Sequence, residues 1–191
     1  MLLVLLLLSI TAAAAQPLDY TISAGGQDKI LLEVEKTGFL KGKKHSFEFP
    51  NYSGKLTYDA QTPGNSRVEL KIDAASLVCK DTWVSPKDLK KIQDEALTKV
   101  LVVSKYPDMR FTSTKVTPQG GNKFQVEGVL TIRGTGKPVT MTVSLDPASM
   151  KMDGKSSFKM SAYGIKPPSA GLGTVGTKDD MTATFAVTAR K

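Results

Sequence analysis

The sequence predicts a mainly β fold, an antiparallel eight-stranded barrel with one amphipathic helix. Several segments alternate apolar and polar side chains, which is the period of a strand with one buried face. Clusters of Gly, Pro, Asn and Asp, the residues of tight turns, separate these segments. Helical spacing occurs in one place, after Ser85. Since eight strands can close on themselves and leave no exposed edge, a barrel is favoured over an open sheet.

Three strands are predicted before the helix. They cover residues 29–36, 54–59 and 67–73, each with alternating apolar side chains. A turn with Pro63, Gly64 and Asn65 separates the second strand from the third. These features predict an antiparallel pair in this part of the chain.

The predicted helix starts at Ser85, whose hydroxyl is suited to cap free N–H groups. Pro86 suits the first helical position, and Asp88 favours the positive end of the helix dipole. Apolar residues then recur at helical spacing: Leu89, Ile92, Ala96, Leu97, Val100 and Leu101. Charged residues, Glu95 among them, take the other face. We expect this helix to lie over the sheet or to plug one end of the barrel.

The clearest strand pair follows the helix. Residues 123–132 (K-F-Q-V-E-G-V-L-T-I) and 138–145 (P-V-T-M-T-V-S-L) each have one apolar face, and R-G-T-G-K lies between them. They form an antiparallel hairpin with one face meant for a core or a ligand. Further strands are expected after Pro107 and over residues 181–189, with Asp153-Gly154 as another turn.

Large flexible and aromatic side chains are expected to point into the barrel. Methionine adapts to an irregular guest, and small residues beside large ones indicate either interlocking packing or a cavity. A filled core and a hollow barrel therefore both stay open at this point. The candidate ligand-binding residues on this inward face are Met109, Phe111, Phe124, Val126, Leu130, Met141, Val143, Phe158, Met160 and Phe185.

Residues 1–15 are predicted to be a signal peptide. The apolar run M-L-L-V-L-L-L-L is too short to span a bilayer as a helix, and Ala13 and Ala15 are placed as a cleavage site before Gln16. The domain is then residues 16–191. We expect it to be periplasmic or secreted after cleavage near Ala15.

Charge and motif content narrow the function classes. The net charge of +8 favours anionic partners, so transient contact with an anionic membrane surface is one interpretation. The other interpretation, which we favour, is a solvated basic surface without such a partner. Nucleic-acid motifs, a nucleophile elbow, a zinc helix and a phosphate loop are all missing, so we predict no catalysis, cofactor or metal. The single cysteine, Cys79, is interpreted as a small buried hydrophobe. Asp179 and Asp180 are interpreted as a turn at the start of a strand rather than as a catalytic pair.

Several elements together resemble the YceI-like family of lipid- and polyisoprenoid-binding proteins. The match covers nearly the whole chain after residue 16, and the order and spacing of the motifs carry it. These motifs are Ser76-Leu77; Tyr106-Pro107 with Phe111 and Ser113; Val126-x-Gly128-x-Leu130-x-Ile132-x-Gly134 with Pro138-Val139; and Gly164-Ile165-Lys166-Pro167 with Gly173, Asp179 and Asp180.

The resemblance implies a lipocalin-like barrel with a long apolar tunnel for an isoprenoid chain, an isoprenoid quinone or a fatty amphiphile. We predict non-catalytic carriage or storage of that ligand in the periplasm, by a monomer or a homodimer. The alternative is a filled barrel that acts as an interaction or stress-related secreted protein without a lipid ligand.

The chain departs from the family at one polar position. A G-H-x-H motif of the resembled subgroup is Gly42-Lys43-Lys44-His45 here, so one histidine is replaced by Lys43. Two interpretations of His45 stay open: contact with a ligand headgroup at the tunnel mouth, near Lys43 and Lys44, or a strand-edge or surface position.

Overall fold

The structure is a computed structural model and describes residues 16–171 and 174–191. The predicted signal peptide, residues 1–15, and Gly173 of the closing motif lie outside these described residues. Within them the strands are β1 (Leu18–Ser23), β2 (Lys29–Gly38), β3 (Lys44–Glu48), β4 (Tyr52–Tyr58), β5 (Arg67–Asp73), β6 (Val78–Cys79), β7 (Asp108–Gly120), β8 (Lys123–Ile132), β9 (Thr135–Asp146), β10 (Lys151–Lys159), β11 (Ser169–Ala170) and β12 (Val175–Arg190).

Eight strands close into an antiparallel barrel, as the sequence predicts. The order is β1-β4-β5-β7-β8-β9-β10-β12, and β12 pairs back with β1, where Ile22 lies opposite Ala189. The β2 strand continues along the same edge of β12, with Ile30 opposite Phe185, and β3 pairs with β2. The barrel is thereby extended at one end, where β6 pairs with β3.

The helix forms where it is predicted and covers the extended end of the barrel. It is α1 (Pro86–Glu95), with the Ser85 hydroxyl accepting a hydrogen bond from the Asp88 N–H at 3.2 Å. A π-helical turn, Ala96–Val100, continues it. Ala96 and Leu101 are buried against the barrel end. Among the described residues, no helix is both long and apolar enough to cross a membrane.

The β8–β9 hairpin is confirmed, and its turn is tighter than the turn-former run implies. Arg133 and Gly134 alone connect the strands, with φ of 52° and 73°. Two consecutive residues at positive φ suit a hairpin turn whose twist matches the strands. This turn fixes the register that brings Val126 opposite Met141.

One predicted turn is wrong. Asp153 and Gly154 lie inside β10, where the missing side chain of Gly154 lets the Phe185 ring approach. The chain instead reverses before β10 over residues 147–150. There the Asp146 carboxylate accepts hydrogen bonds from the Ala148 N–H (3.0 Å) and the Ser149 hydroxyl (2.6 Å), so an aspartate side chain organises the turn.

Candidate binding site

Two adjoining cavities occupy the barrel interior and its covered end. The first has a volume of about 180 Å³ and the second about 170 Å³. Leu32, Met109 and Ile132 line both cavities, and we call these three residues the waist. An apolar cavity of about 150 Å³ is large enough to hold benzene, so each cavity is large enough for part of an apolar ligand.

The first cavity has an almost entirely apolar surface inside the strands of the barrel. Alternation along the strands is the reason, since it turns every second side chain inward. Small side chains at Ser156 and Ala183 belong to its wall and leave space between larger neighbours. Nine of the predicted ligand-binding residues line it: Met109, Phe111, Phe124, Val126, Leu130, Met141, Val143, Phe158 and Phe185.

Sequence reasoning missed the contribution of the first strands to this cavity. Ile22, Ile30, Leu56, Leu70 and Ile72 line it as well. The signal was present, because these residues lie on the apolar faces of alternating segments. Contact of any lining residue with a ligand stays a prediction.

The second cavity is the polar one. Met160 and His45, the other two predicted residues, line it together with Lys36, Glu95 and Thr177. Lys36 follows Ile30, Leu32 and Val34 at a spacing of two, so strand alternation alone points it inward. Glu95 was expected on the polar face of the helix, yet it lines the cavity where α1 passes into its π-helical turn.

His45 is buried, so a surface position is wrong, although the β3–β6 pairing includes only Phe47 and Glu48 and leaves His45 outside it. Its Nδ1 lies 2.5 Å from the Asp81 carboxylate, which also accepts the Ser46 N–H at 2.8 Å. The Trp83 ring stacks on the imidazole with centroids 5.5 Å apart. Since an ionised carboxylate only accepts, Nδ1 is assigned as the donor, and Nε2 of the neutral ring is then an acceptor.

The lysines near His45 differ in where they lie. Lys43 and Lys44 are exposed, and Lys44 is paired with Glu33 at 2.9 Å. Neither of them lines the second cavity, whereas the half-buried Lys36 does. Burial lowers the pKa of Lys36, and the nearby carboxylates of Asp81 and Glu95 oppose that shift. A cation with reduced hydration on a cavity wall attracts an oxygen-bearing group.

The groups considered for catalysis have structural partners. Cys79 is buried opposite Phe47, and burial raises the pKa of its thiol to about 11, which keeps it neutral at pH 7. Asp179 accepts hydrogen bonds from the Ser161 N–H (2.8 Å) and hydroxyl (2.6 Å). Asp180 pairs with Lys159 at 2.9 Å. The two aspartates lie inside β12 rather than at its start.

The described residues between 167 and 178 form part of the wall of the second cavity. The short β11 strand pairs with β12, with Ala170 opposite Val175. Pro168, Ser169, Ala170, Val175 and Thr177 line the cavity. This segment therefore bounds the space in which His45 and Lys36 lie.

The model of the YceI-like domain matches residues 20–189. The chain belongs to the YceI-like family. A UPF0312 protein of Pseudomonas savastanoi pv. phaseolicola is 26% identical over 174 residues, which are 83% of this chain and 82% of the relative. The resemblance identified in the sequence is thus confirmed.

Two solved structures have a similar fold. Burkholderia cenocepacia BcnA superposes with a TM-score of 0.69 and 23% identity, covering 86% of this chain and 97% of BcnA. A polyisoprenoid-binding domain from Saccharophagus degradans, implicated in plant cell wall breakdown, gives a TM-score of 0.59 and 12% identity. It covers 89% of this chain and 97% of that domain. At these identities the likeness establishes the lipocalin-like barrel.

Proposed function

We propose that this YceI-like protein binds one long apolar amphiphile, a polyisoprenoid, an isoprenoid quinone or a fatty-acid derivative, without chemically changing it. The observation that carries the proposal is the pair of adjoining cavities: the surface of the first is almost entirely apolar, although Arg67 is among its lining residues, whereas the second has Lys36, His45 and Glu95 on its wall. An amphiphile has the same division into an apolar and a polar part. The family likeness to a domain described as polyisoprenoid-binding supports the same class of ligand.

The apolar tail is proposed to occupy the first cavity. Its wall offers side chains of Phe, Met and aliphatic residues and almost no polar surface. Burial of each CH₂ group is worth about 0.8 kcal/mol, so a chain gains affinity from its length without specific polar contacts. The flexible Met109 and Met141 adapt to chains of different shape.

The polar head is proposed to lie in the second cavity beside Lys36 and His45. The Lys36 ammonium donates hydrogen bonds to a head oxygen, and Nε2 of a neutral His45 accepts one from a hydroxyl. The Asp81 carboxylate holds the His45 ring in place, and Trp83 packs against its face. This assignment replaces Lys43 and Lys44, which the sequence suggested for the role.

Carriage or storage in the periplasm is the proposed setting. The support is the apolar run at the start of the sequence and the A-x-A spacing before Gln16. A buried, neutral thiol at Cys79 fits a binding role better than nucleophilic chemistry.

Native mass spectrometry of protein purified from a bacterial periplasm tests the proposal. We expect a stoichiometric prenyl or acyl species that is lost on denaturation and is identified after organic extraction. Protein that carries nothing, and takes up nothing from mixtures of prenols, quinones and fatty acids, would contradict the proposal. That result would favour the filled barrel with a protein partner.

A cavity-filling variant gives the sharper test. Ala183 lines the first cavity, so Ala183→Trp should fill it and abolish ligand uptake. Ala186→Trp is the matched control, because residue 186 lies on the same strand but points to the other face. Uptake that is equal in both folded variants would exclude the first cavity as the binding site.

A further inference from the structure

We propose that the tip of the β2–β3 hairpin docks the protein onto an anionic lipid surface. The tip comprises residues 39–43, F-L-K-G-K, and we call it the Phe39 tip. Phe39 is 90% exposed, whereas the other exposed large apolar side chains in the described residues, Leu18, Val78 and Val129, are 38–47% exposed. Trp, Phe and Leu side chains insert at the boundary between lipid headgroups and acyl chains, and the Phe39 ring buries little apolar surface in the free protein.

Backbone hydrogen bonds hold the Phe39 tip in one conformation. The Phe39 N–H donates to the Thr174 carbonyl at 3.3 Å, the Lys41 N–H to Gly38 at 3.0 Å, and the Lys43 N–H to Leu40 at 3.0 Å. Gly38 has a φ of 67°, and any side chain there would collide with the Thr174 carbonyl. Since the tip is already ordered, insertion of Phe39 requires little further loss of conformational freedom.

The charge around Phe39 selects the partner. Lys41 and Lys43 are exposed, and within residues 16–171 and 174–191 neither has a carboxylate within 4.0 Å. The carboxylates of the flanking strand, Glu33 and Glu35, are paired with Lys44 and Lys178. A second copy of the chain in a symmetric, tip-to-tip contact would bring two further lysines against these two, whereas anionic headgroups neutralise them. The charge therefore favours a lipid surface over self-association.

The position of the tip links docking to the second cavity. The strands on either side of it supply Lys36 and His45, and Val175, opposite Gly38, lines the same cavity. A docked Phe39 tip would hold this end of the barrel at the lipid surface. The proposed docking depends on the residues of the Phe39 tip and does not require that the protein binds a ligand in its cavities.

Sedimentation with lipid vesicles tests the docking, using protein purified from the periplasm. We expect binding to vesicles of equal parts phosphatidylglycerol and phosphatidylcholine at about 0.1 M salt, and loss of binding in high salt or on pure phosphatidylcholine. Phe39→Ala and the double variant Lys41→Glu/Lys43→Glu should each weaken binding by roughly tenfold or more. Circular dichroism should be unchanged, because these side chains are exposed.

The matched control is Lys123→Glu/Lys151→Glu, which makes the same charge change at exposed positions at the other end of the barrel. Equal weakening in this control would overturn the proposal, since attraction would then come from net charge alone. Failure of the wild type to bind anionic vesicles would overturn it as well. A dimer in analytical ultracentrifugation that Phe39→Ala dissociates would assign the tip to self-association instead.

Discussion

Cys79 is a buried side chain whose ionisation depends on its surroundings in the fold. Because burial raises its pKa to about 11 from 9.0, we expect no reaction with a thiol reagent at pH 8 until the protein unfolds. Native and urea-unfolded samples should therefore differ in labelling by Ellman's reagent. Rapid stoichiometric labelling of the native protein would contradict the burial.

The raised pKa of Cys79 determines whether the free energy of unfolding rises or falls with pH. Between pH 9 and 11 the folded thiol keeps a proton that the unfolded thiol loses, so the folded state binds more protons. Stability then falls as pH rises through this window. The wild type should lose more unfolding free energy from pH 9 to 11 than Cys79→Ala does, as measured by urea titration at each pH. Parallel losses in the two proteins would contradict the assignment.

The His45–Asp81 pair is expected to stabilise the fold. The Asp81 carboxylate is fully buried and has two donors, the His45 ring and the Ser46 N–H. Hydrogen bonds to a charged group are worth about 1.5–3 kcal/mol, so Asp81→Asn should lower the unfolding free energy by about that amount.

Glu33→Gln is the control for that prediction. It removes one partner of the exposed Lys44–Glu33 pair, and exposed pairs contribute about 0–1 kcal/mol. Urea denaturation at neutral pH measures both variants. Equal small effects would show that the buried pair gives no more stability than a surface one.

For individual residues, the sequence predicted well which apolar side chains line a cavity and predicted poorly which partners the polar side chains have. Phe111, Phe124 and Phe185 line a cavity because alternation along a strand requires only local information. The partner of His45 is 36 residues away, across the β3–β6 pairing, so no local pattern identifies Asp81.

At the scale of elements, β7 and β8 leave no room for a side chain at Gly128. A Cβ atom there would lie 2.5 Å from the Phe111 ring and 2.5 Å from the Thr112 carbonyl oxygen. The carbonyl cannot move without disturbing the β7–β8 pairing. We expect Gly128→Ala to destabilise the protein by about 1–3 kcal/mol, measured by urea unfolding.

Gly25→Ala is the matched glycine control. No atom outside the neighbouring residues lies within 4 Å of a Cβ at this position, and the position does not need a positive φ. The change should leave stability within about 0.5 kcal/mol of the wild type. Comparable losses in the two variants would mean that the close approach at Gly128 is not the cause.

Elements were predictable wherever one signal dominated. Alternation located β5 and β8, and Ser85 with Pro86 located the start of α1. Turn residues were less reliable, because glycine also serves close packing inside a sheet. Gly154 makes room for Phe185 within β10, whereas Asp146 organises the turn through its side chain.

For the whole molecule, the sequence predicted a closed barrel but left a hollow and a filled interior equally open. Alternation tells which side chains point inward, not whether their volumes fill the space between eight strands. A cavity remains where the summed volume of the inward side chains is smaller than the space between the strands, and small side chains such as Ala183 beside large ones lower that sum. Whether the interior is hollow or filled therefore depends on the positions of all the strands.

The waist gives a prediction about the whole molecule. If tail and head occupy the two cavities, affinity for straight-chain alcohols should rise by up to about 0.8 kcal/mol per CH₂ until both are filled. Met109 lies at the waist, so Met109→Trp should stop this rise at the length that fills one cavity. Met109→Leu, which nearly conserves volume, should keep the wild-type length dependence.

Calorimetric titration with alcohols of increasing length measures all three proteins. An identical length dependence in Met109→Trp would mean that ligands occupy one cavity only.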